Sequence, residues 1–358
     1  MSNRPYNFYP GPAILPLEVI QQVQNELLNI GGTGLSVMEV SHRGKAYDEI
    51  HKTAMADLKE VLHIPDNYHI LFLQGGASLQ FAMVPMNFLR KGTADYVNTG
   101  SWAKKAIKEA KLFGNVNIAG SSEDKNFSYI PRELNLSPDA DYLHITSNET
   151  ISGIRWNRFP ETGYVPMISD MSSEICSRKI DVARFGLIYA GAQKNLGPAG
   201  VTAVIIRDDL AEKCPDDVTT MLNYKTHVEK ESLFNTPPCF AIYVVGLVLK
   251  WIKKQGGLEA LEEVNNEKAR LIYEVIDGGD FYRGTADPAD RSIMNITFRL
   301  PSEELEAEFV RQSEKAGFVG LKGHRSVGGL RASIYNAFPL EGVKELVKFM
   351  KKFEQENS

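Results

Sequence analysis

The sequence predicts an α/β fold: a large domain with a mostly parallel sheet flanked by helices, followed by a smaller C-terminal α+β domain. Between residues 68 and 206, short apolar runs alternate with helical or irregular segments, a rhythm typical of parallel strands joined by crossover connections. After residue 258 the pattern changes to β-α-β-β-α. A length of 358 residues suggests about two domains. We predict an N-terminal arm at 1–15, a large domain at 16–257 and a small domain at 258–358.

The amino-acid composition argues against a nucleic-acid-binding, membrane or secreted protein. A net charge of −5 with scattered Lys and Arg gives no reason to expect nucleic acid or an anionic membrane as partner. The N-terminus lacks the apolar segment of a signal peptide, and the longest apolar run, 240–249, is too short to span a membrane. Cys176, Cys214 and Cys239 are odd in number and far apart, which argues against disulfides or a zinc site and favours the cytoplasm.

The N-terminal part predicts an irregular arm over the first thirteen residues, bent at Pro and Gly. Apolar residues at helical spacing then predict helices over 17–30 and from about 47 to 62. The loop between them sets His42 and Arg43 side by side. Both side chains could donate hydrogen bonds to an anion.

The first clear strand, at 68–73, leads through two glycines into a helix predicted over 79–89. Unpaired N–H groups at such a helix start can bind an anion, and the Ser78 hydroxyl adds a donor. The alternative is that Gly75 and Gly76 only permit a tight turn.

Six further strands are predicted to complete the sheet. They lie at 94–97, 116–119, 142–146, 164–169, 187–190 and 201–206. Ligands of parallel sheets bind at the carboxyl ends of the strands, where Gly76, Thr150, Asp170 and Lys194 fall.

Lys194 is the candidate nucleophile. It follows the apolar run 185–190 in a Gly/Pro turn, where we expect small apolar groups around it and no neighbouring cation. Desolvation there would favour the neutral amine that can attack a carbonyl. Together with Asp170 and the helix start near residue 76, it supplies the parts that a pyridoxal phosphate site needs.

The C-terminal part begins with a buried helix over 240–249 and an amphipathic helix over 258–276, which we expect to lead into the second domain. We predict strands at 293–299, 318–321 and 330–334, and helices at 302–315 and 341–353. Two further loops carry polar side chains, at 234–238 and at 323–329.

Eight motifs recur in order along the chain: NFYPGPAILP at 7–16, SHRG at 41–44, GGAS at 75–78, NETISG at 148–153, SDMSS at 169–173, AGAQKN at 190–195, FNTPP at 234–238 and GHRSVGGLRASIYNA at 323–337. With them the sequence resembles, nearly end to end, the phosphoserine aminotransferases, a branch of the class V, fold type I pyridoxal phosphate enzymes.

The resemblance implies the roles of the cofactor residues. Lys194 would bind the cofactor aldehyde covalently and later move the proton between the substrate Cα and the cofactor C4′. Asp170 would keep the pyridine nitrogen protonated, Trp102 would stack on the ring, and Thr150 would lie near the phenolic oxygen. The residues implied to hold the phosphate are Ala77, Ser78, Gln193, Asn235 and Thr236. The family places the last two on the neighbouring subunit, which implies a homodimer with shared sites.

The reaction implied is amino transfer between L-glutamate and 3-phosphohydroxypyruvate, a step of serine biosynthesis; the related four-carbon step of pyridoxine biosynthesis stays open. Arg331 would hold the α-carboxylate in a two-point clamp. The phosphate or γ-carboxylate would be held by His42, Arg43, His324 and Arg325. No metal is implied.

Two positions depart from the family pattern. Ser78 stands where some members have an arginine, and Pro10 stands where some have a serine near the substrate. Three alternatives remain at this point: a small amino acid:glyoxylate transaminase, a cysteine desulfurase, and a pyridoxal phosphate reservoir without turnover. A desulfurase needs a mobile reactive cysteine, whereas Cys239 heads an apolar helix and Cys214 is expected in an acidic surface loop.

Overall fold

The computed structural model describes residues 4–90 and 92–358, so residues 1–3 of the predicted arm lie outside the described residues. The helices are α1 Leu17–Glu26, α2 Lys45–Leu62, α3 Gly76–Phe88, α4 Ser101–Ala110, α5 Asp208–Ala211, α6 Tyr224–Glu229, α7 Cys239–Lys254, α8 Gly257–Asp277, α9 Glu303–Lys315 and α10 Leu340–Asn357. The strands are β1 Tyr6–Asn7, β2 Tyr68–Leu73, β3 Thr93–Asn98, β4 Asn115–Ser121, β5 Leu143–Thr146, β6 Asn148–Glu149, β7 Ile154–Arg155, β8 Met167–Asp170, β9 Leu187–Gly191, β10 Thr202–Arg207, β11 Arg283–Gly284, β12 Asn295–Arg299, β13 Phe318–Val319 and β14 Leu330–Ser333.

Seven strands form the central sheet, in the order β2-β10-β9-β8-β5-β3-β4. Strand β10 runs antiparallel to both of its neighbours, and the remaining pairs are parallel. The predicted mostly parallel sheet is therefore confirmed. Because β2, β3, β5, β8 and β9 all point the same way, their carboxyl ends meet at one edge of the sheet.

Helices cover both faces of this sheet. Along β2, Ile70 and Phe72 belong to a hydrophobic cluster that includes α2 and α7. Their neighbours Leu71 and Leu73 belong to a second cluster that includes α3 and α4. Successive side chains of a strand point to opposite faces, so the alternation builds a helix–sheet–helix arrangement. The fold class is α/β, as predicted.

The C-terminal residues build a third cluster around the antiparallel sheet β11-β12-β14. Helix α8 contributes Leu258 and Leu261 to the first cluster, and Ile272 and Ile276 to this third one. One continuous helix thus packs against both parts of the chain. Within residues 4–90 and 92–358, no helix is both long and apolar enough to cross a bilayer.

Three local predictions were wrong. Strand β8 begins at Met167 and not at residue 164, because Gly163 turns the chain at φ +59° and Pro166 lacks an N–H to donate. Helix α1 ends at Glu26, and a separate short 3-10 turn follows at Ile30–Gly32. The arm is not wholly irregular, since β1 pairs in parallel with β13.

Candidate active site

A cavity of about 300 Å³ opens at the carboxyl edge of the central sheet. It is bordered by the N-terminal arm, the start of α3, the segments that follow β6, β8 and β9, and the loop before β14. The residues that line it are Pro10, Gly11, Gly76, Ala77, Ser78, Trp102, Thr150, Ile151, Asp170, Ser172, Gln193, Lys194, His324 and Arg331. Nine of these were predicted from the sequence as site residues: Ala77, Ser78, Trp102, Thr150, Asp170, Gln193, Lys194, His324 and Arg331.

Lys194 lies at the bottom of this cavity, three residues after β9 ends. Its side chain is buried, and Nζ donates a hydrogen bond to Thr150 Oγ1 at 2.7 Å. Burial lowers the pKa of Lys194 to about 8, although the negative charges of Asp170 and Glu149 oppose the change. The nearby Arg331 lowers the pKa further, so the expectation of no neighbouring cation was wrong. The neutral amine is therefore a much larger fraction near neutral pH than it is for an ordinary exposed lysine.

Asp170 is the last residue of β8, and its carboxylate is held in one orientation. Oδ1 accepts hydrogen bonds from the Ser172 backbone N at 2.9 Å and from the Ser172 hydroxyl at 2.6 Å. The same hydroxyl accepts from the Gly191 backbone N at 3.1 Å, which ties β8 to the end of β9. Burial raises the pKa of Asp170, whereas Lys194 and the Ser172 donors oppose that shift. The carboxylate is thus positioned to face a cationic group in the cavity.

Trp102 is the second residue of α4 and forms one wall. The centroid of its ring lies 5.4 Å from Lys194 Nζ, and Lys105 Nζ lies 4.1 Å from the same ring. A flat aromatic surface next to the lysine can stack on a planar ligand. Its indole nitrogen is buried and has no hydrogen-bond partner among the described residues.

The start of α3 forms the opposite end of the cavity. Gly75 and Gly76 adopt φ +88° and +65°, and no side chain caps the helix. A Cβ on Gly75 would lie 2.5 Å from two atoms of Leu79, so a larger residue does not fit this turn. The first N–H groups of a helix have no partner within it, and here they open beside Ala77 and Ser78. This end can bind a phosphate.

Arg331, on β14, enters from the C-terminal part of the chain. It is 5% exposed, donates from Nη1 to the Thr150 carbonyl at 3.3 Å, and its Nε is buried without a partner among the described residues. Burial lowers the pKa of this arginine. A desolvated guanidinium with free donors at a cavity wall is suited to bind a carboxylate through two hydrogen bonds.

His324 lines the cavity beside Arg331. Burial, together with the positive charges of Arg331, Arg325 and Lys105, lowers the pKa of His324. Its Nδ1 accepts from the Ser326 backbone N at 3.2 Å, which leaves Nε2 as the protonated nitrogen of the neutral ring.

Five predicted residues lie outside the cavity lining: His42, Arg43, Asn235, Thr236 and Arg325. Arg325 and Arg43 are exposed, and His42 lies just before α2. Asn235 and Thr236 precede α7, where the Thr236 carbonyl accepts a 3.5 Å hydrogen bond from Gln74. Within one chain these residues do not complete the site.

Sequence reasoning missed several residues of the site. Ser172 belongs to the SDMSS motif, but its bond to Asp170 depends on the backbone turn after β8. Ile151 and Glu149 flank Thr150 in the NETISG motif. Gly11 comes from the arm, as does Pro10, to which the sequence analysis assigned no role; the Ala13 backbone N donates to the Gln193 carbonyl at 2.8 Å and attaches the arm. For Ser172 and Glu149 the available signal was a polar residue close in the sequence to a predicted site residue.

The groups in the cavity fit pyridoxal phosphate. Lys194 suits its aldehyde, Asp170 its ring nitrogen, Trp102 its ring face and the start of α3 its phosphate, while the free donors of Arg331 remain for an anionic substrate. Within the described ranges, no group of three or more His, Cys, Asp or Glu side chains could hold a metal ion.

Comparison with known proteins gives a consistent result. The model of the aminotransferase class-V family matches residues 5–346. The chain is 58% identical over 360 residues to a phosphoserine aminotransferase of Desulfosudis oleivorans, with 100% of each chain covered. It matches the solved phosphoserine aminotransferase of Bacillus circulans subsp. alkalophilus with a TM-score of 0.98, 57% identity and 100% of both chains covered. For a PLP-bound phosphoserine aminotransferase from Trichomonas vaginalis, the TM-score is 0.93 at 41% identity, with 97% of this chain and 100% of that chain covered.

Proposed function

Because this chain belongs to the class-V aminotransferase family, we propose that it is a pyridoxal phosphate-dependent transaminase that transfers the amino group between L-glutamate and 3-phosphohydroxypyruvate. The products are O-phospho-L-serine and 2-oxoglutarate, so the enzyme serves serine biosynthesis. One observation carries the proposal: a single cavity brings together Lys194, Asp170, Trp102 and Arg331, in a chain that matches phosphoserine aminotransferases over its full length. The same chemistry would extend to the four-carbon phospho-keto acid of pyridoxine biosynthesis.

When bound, the cofactor supplies an aldehyde for covalent attachment and a ring that takes up the electrons released at the substrate Cα. Lys194 contributes the amine, which is partly neutral because burial lowers its pKa to about 8. Nζ of the same lysine would also be the base that moves a proton between the substrate Cα and the cofactor C4′. The Thr150 hydroxyl, 2.7 Å away, orients this nitrogen.

Asp170 and Trp102 would hold the pyridine ring of the cofactor. The Asp170 carboxylate, held by two hydrogen bonds from Ser172, would pair with the ring nitrogen and keep it protonated. Trp102 would cover one ring face and exclude water from it. The first turn of α3, with Ala77 and Ser78, would hold the phosphate through backbone N–H groups, which suits a chain that lacks the arginine some relatives carry at position 78.

Substrate choice rests on cationic groups. Arg331 would bind the α-carboxylate that all the substrates share. The opposite end of the substrate carries a phosphate or a γ-carboxylate, and we propose that His324 and Arg325 receive it together with His42 and Arg43. The positive charges that lower the pKa of His324 support an anion there.

His42, Arg43, Asn235 and Thr236 lie outside their own chain's cavity lining, and this placement supports a homodimer in which each subunit contributes them to the neighbouring site. A cytoplasmic location is supported by the three cysteines, which are all free thiols.

The cysteine desulfurase alternative is disfavoured by the thiols. Cys214 is buried, at 4% exposure, so its placement in a surface loop was wrong; it packs after α5 within the cluster that includes α3 and α4. Burial raises the pKa of Cys214 to about 11 and also raises the pKa of Cys176 and Cys239. A desulfurase needs a reactive thiolate on a mobile segment, whereas the raised pKa of all three thiols disfavours the thiolate. The two His-Arg pairs favour a substrate with a second anion over glyoxylate or a small amino acid.

Two half-reactions test the proposal. Purified protein loaded with pyridoxal phosphate is mixed with L-glutamate while the absorption of the cofactor is followed. We expect the spectrum to change to that of the amine form, and to return on addition of 3-phosphohydroxypyruvate but much less on addition of glyoxylate. A protein that binds the cofactor without spectral change on addition of glutamate would instead be a reservoir, and a faster return with glyoxylate would identify the alternative transaminase.

A further inference from the structure

Glu149 is a fully buried carboxylate that the mechanism above leaves without a role. It ends β6, immediately before Thr150, and is 0% exposed. Its carboxylate lies under the first turn of α4, where Oε1 accepts from the Ala103 backbone N at 3.0 Å and Oε2 accepts from the Trp102 backbone N at 3.5 Å. The side chain therefore connects the helix that carries Trp102 to the segment that carries Thr150.

The chain leaves space for this carboxylate at Gly100, the residue before α4. A Cβ on Gly100 would lie 2.7 Å from Glu149 Cδ and 2.8 Å from Oε2, both closer than van der Waals contact allows. Gly100 also adopts φ +155°, at the edge of the range that favours glycine. Only glycine fits at this position while the Glu149 carboxylate stays in place.

The ionisable groups whose charges act on Glu149 are Asp170 and Lys194. Burial raises the pKa of Glu149 to about 7, and the two backbone N–H groups and Lys194 oppose this shift. Conversely, the charge of Glu149 favours the protonated form of Lys194, as does Asp170, while Arg331 acts in the opposite direction. Glu149 is thus electrostatically coupled to the reactive amine.

An ordinary helix cap needs neither burial nor a full charge, because an exposed Ser or Asp satisfies the first N–H groups equally well. Burying a carboxylate near a second one, Asp170, is unfavourable unless other groups compensate its negative charge. The dipole of α4 and the charge of Lys194 compensate it here.

We propose that Glu149 is a positioning residue of the active site: it fixes the start of α4 so that Trp102 faces the cofactor ring, and it places a buried negative charge directly before Thr150, the residue that contacts Lys194 Nζ. This inference rests on the proposed function, since it assumes that pyridoxal phosphate binds between Trp102 and Lys194. Glu149 itself is not among the residues that line the cavity.

Two variants separate the two parts of this role. Glu149→Gln keeps an oxygen that can accept from the Ala103 N–H but removes the charge, whereas Glu149→Ala removes both. Glu109→Gln is the control, because it removes one carboxylate near the other end of α4, away from the N–H groups that Glu149 contacts. Cofactor affinity is measured by quenching of tryptophan fluorescence in the cofactor-free protein, hydrogen exchange reports on the backbone of 101–110, and absorption of the loaded protein is titrated with pH.

For Glu149→Gln we expect the spectroscopic pKa of the loaded protein to shift downward, because a negative charge next to Lys194 is lost, with hydrogen exchange in α4 little changed. For Glu149→Ala we expect cofactor affinity to fall about fivefold, the effect of losing one helix cap, and exchange in the first turn of α4 to rise. Glu109→Gln should match the wild type in all three measurements.

An unshifted titration in Glu149→Gln would overturn the electrostatic part, and this variant is nearly isosteric and remains informative if Glu149→Ala fails to fold. Unchanged exchange and affinity in a folded Glu149→Ala protein would overturn the positioning part. If the wild-type protein itself does not bind pyridoxal phosphate, the proposed function fails, and the hydrogen-exchange comparison still decides whether Glu149 anchors α4.

Discussion

At the scale of single residues, the site is built around Lys194. Burial lowers the pKa of this lysine, and the nearby carboxylates oppose that change. The pKa of Lys194 is lowered to about 8 by desolvation, with Asp170 and Glu149 opposing and Arg331 assisting the shift. Lys194 is therefore able both to attack an aldehyde and to carry a proton near neutral pH.

Lys194→Ala should lower amino transfer by about 10⁴-fold, because the variant loses both the amine that attacks the aldehyde and the base proposed for the substrate Cα. Pyridoxal phosphate can still bind through Asp170 and the start of α3, but borohydride reduction followed by mass spectrometry should find no covalent adduct. Lys351→Ala, an exposed lysine of α10, is the control and should retain both the adduct and the activity. Retained transfer in Lys194→Ala would contradict the assignment of the nucleophile.

Arg331→Lys should lower kcat/KM for L-glutamate about 100-fold, because an ammonium group cannot form the two parallel hydrogen bonds that a guanidinium makes to a carboxylate. The loss should be similar for O-phospho-L-serine, which carries the same α-carboxylate. Steady-state kinetics with both substrates measure it, with Arg311→Lys on the exposed side of α9 as control. A loss confined to one substrate would instead place Arg331 at the distal anion.

At the scale of elements, two features hold the site in shape: the turn that begins α3, and the attachment of α8 to the segment after β14. The α3 turn opens backbone N–H groups toward the phosphate end of the cavity. The attachment of α8 involves Lys268, which is fully buried and donates to the carbonyls of Ile334, Tyr335 and Phe338 at 3.0, 2.8 and 3.2 Å. That segment directly continues the strand of Arg331.

Gly75→Ala should destabilise the protein by about 1 to 3 kcal/mol and weaken cofactor binding, since the residue has a left-handed φ and the new Cβ would clash with Leu79. Gly76→Ala is the matched control: φ is also positive, but apart from the adjacent residues and the backbone of its own helix no atom lies within 4 Å of the added Cβ. Urea unfolding and fluorescence titration with pyridoxal phosphate compare them. Equal losses in the two variants would show that backbone conformation alone, without the clash, determines the effect.

Lys268→Met should lower the free energy of unfolding by about 2 kcal/mol, because three buried carbonyls lose a donor while the removal of a buried charge offsets part of that loss. Burial lowers the pKa of Lys268 to about 7, whereas the three acceptors favour the ammonium, since a neutral amine has only two N–H bonds to donate. Arg270→Met, exposed on the same helix, should change stability much less. An unchanged Lys268→Met midpoint in urea would mean that the three acceptors add nothing to stability.

At the scale of the whole molecule, the parallel strands bring residues far apart in the sequence to one sheet edge, and the C-terminal part adds His324 and Arg331. Within a chain, Asn235, Thr236, His42 and Arg43 stay outside the cavity lining. The proposed homodimer would account for this separation, because a two-fold axis could bring the same loops of each subunit to the neighbouring site.

Subunit complementation tests the shared sites. A Lys194→Ala protein and an Asn235→Ala/Thr236→Ala protein should each be nearly inactive, but dissociating and reassembling them together should restore about a quarter of the wild-type activity, since half of the dimers are mixed and each mixed dimer has one intact site. Mixing without dissociation is the control. No recovery among verified mixed dimers would place Asn235 and Thr236 in the site of their own chain.

The sequence by itself determined the fold class, the approximate positions of most strands and the candidates Lys194, Asp170 and Ser78. These features depend on local sequence, because an apolar run followed by small or polar residues indicates a strand and its end independently of the rest of the fold. It misplaced β8 at Tyr164 and Cys214 at the surface, where a proline and tertiary packing outweighed the local pattern.

Only the tertiary structure decided which of these residues act on one another. Thr150 meets Lys194 across 44 positions of sequence, and Glu149 meets the start of α4 across a similar span. Arg331 donates a hydrogen bond to the Thr150 carbonyl although it lies 181 positions later in the sequence. The reactivity of Lys194 depends on desolvation and on charges within a few ångströms, and both are set by folding.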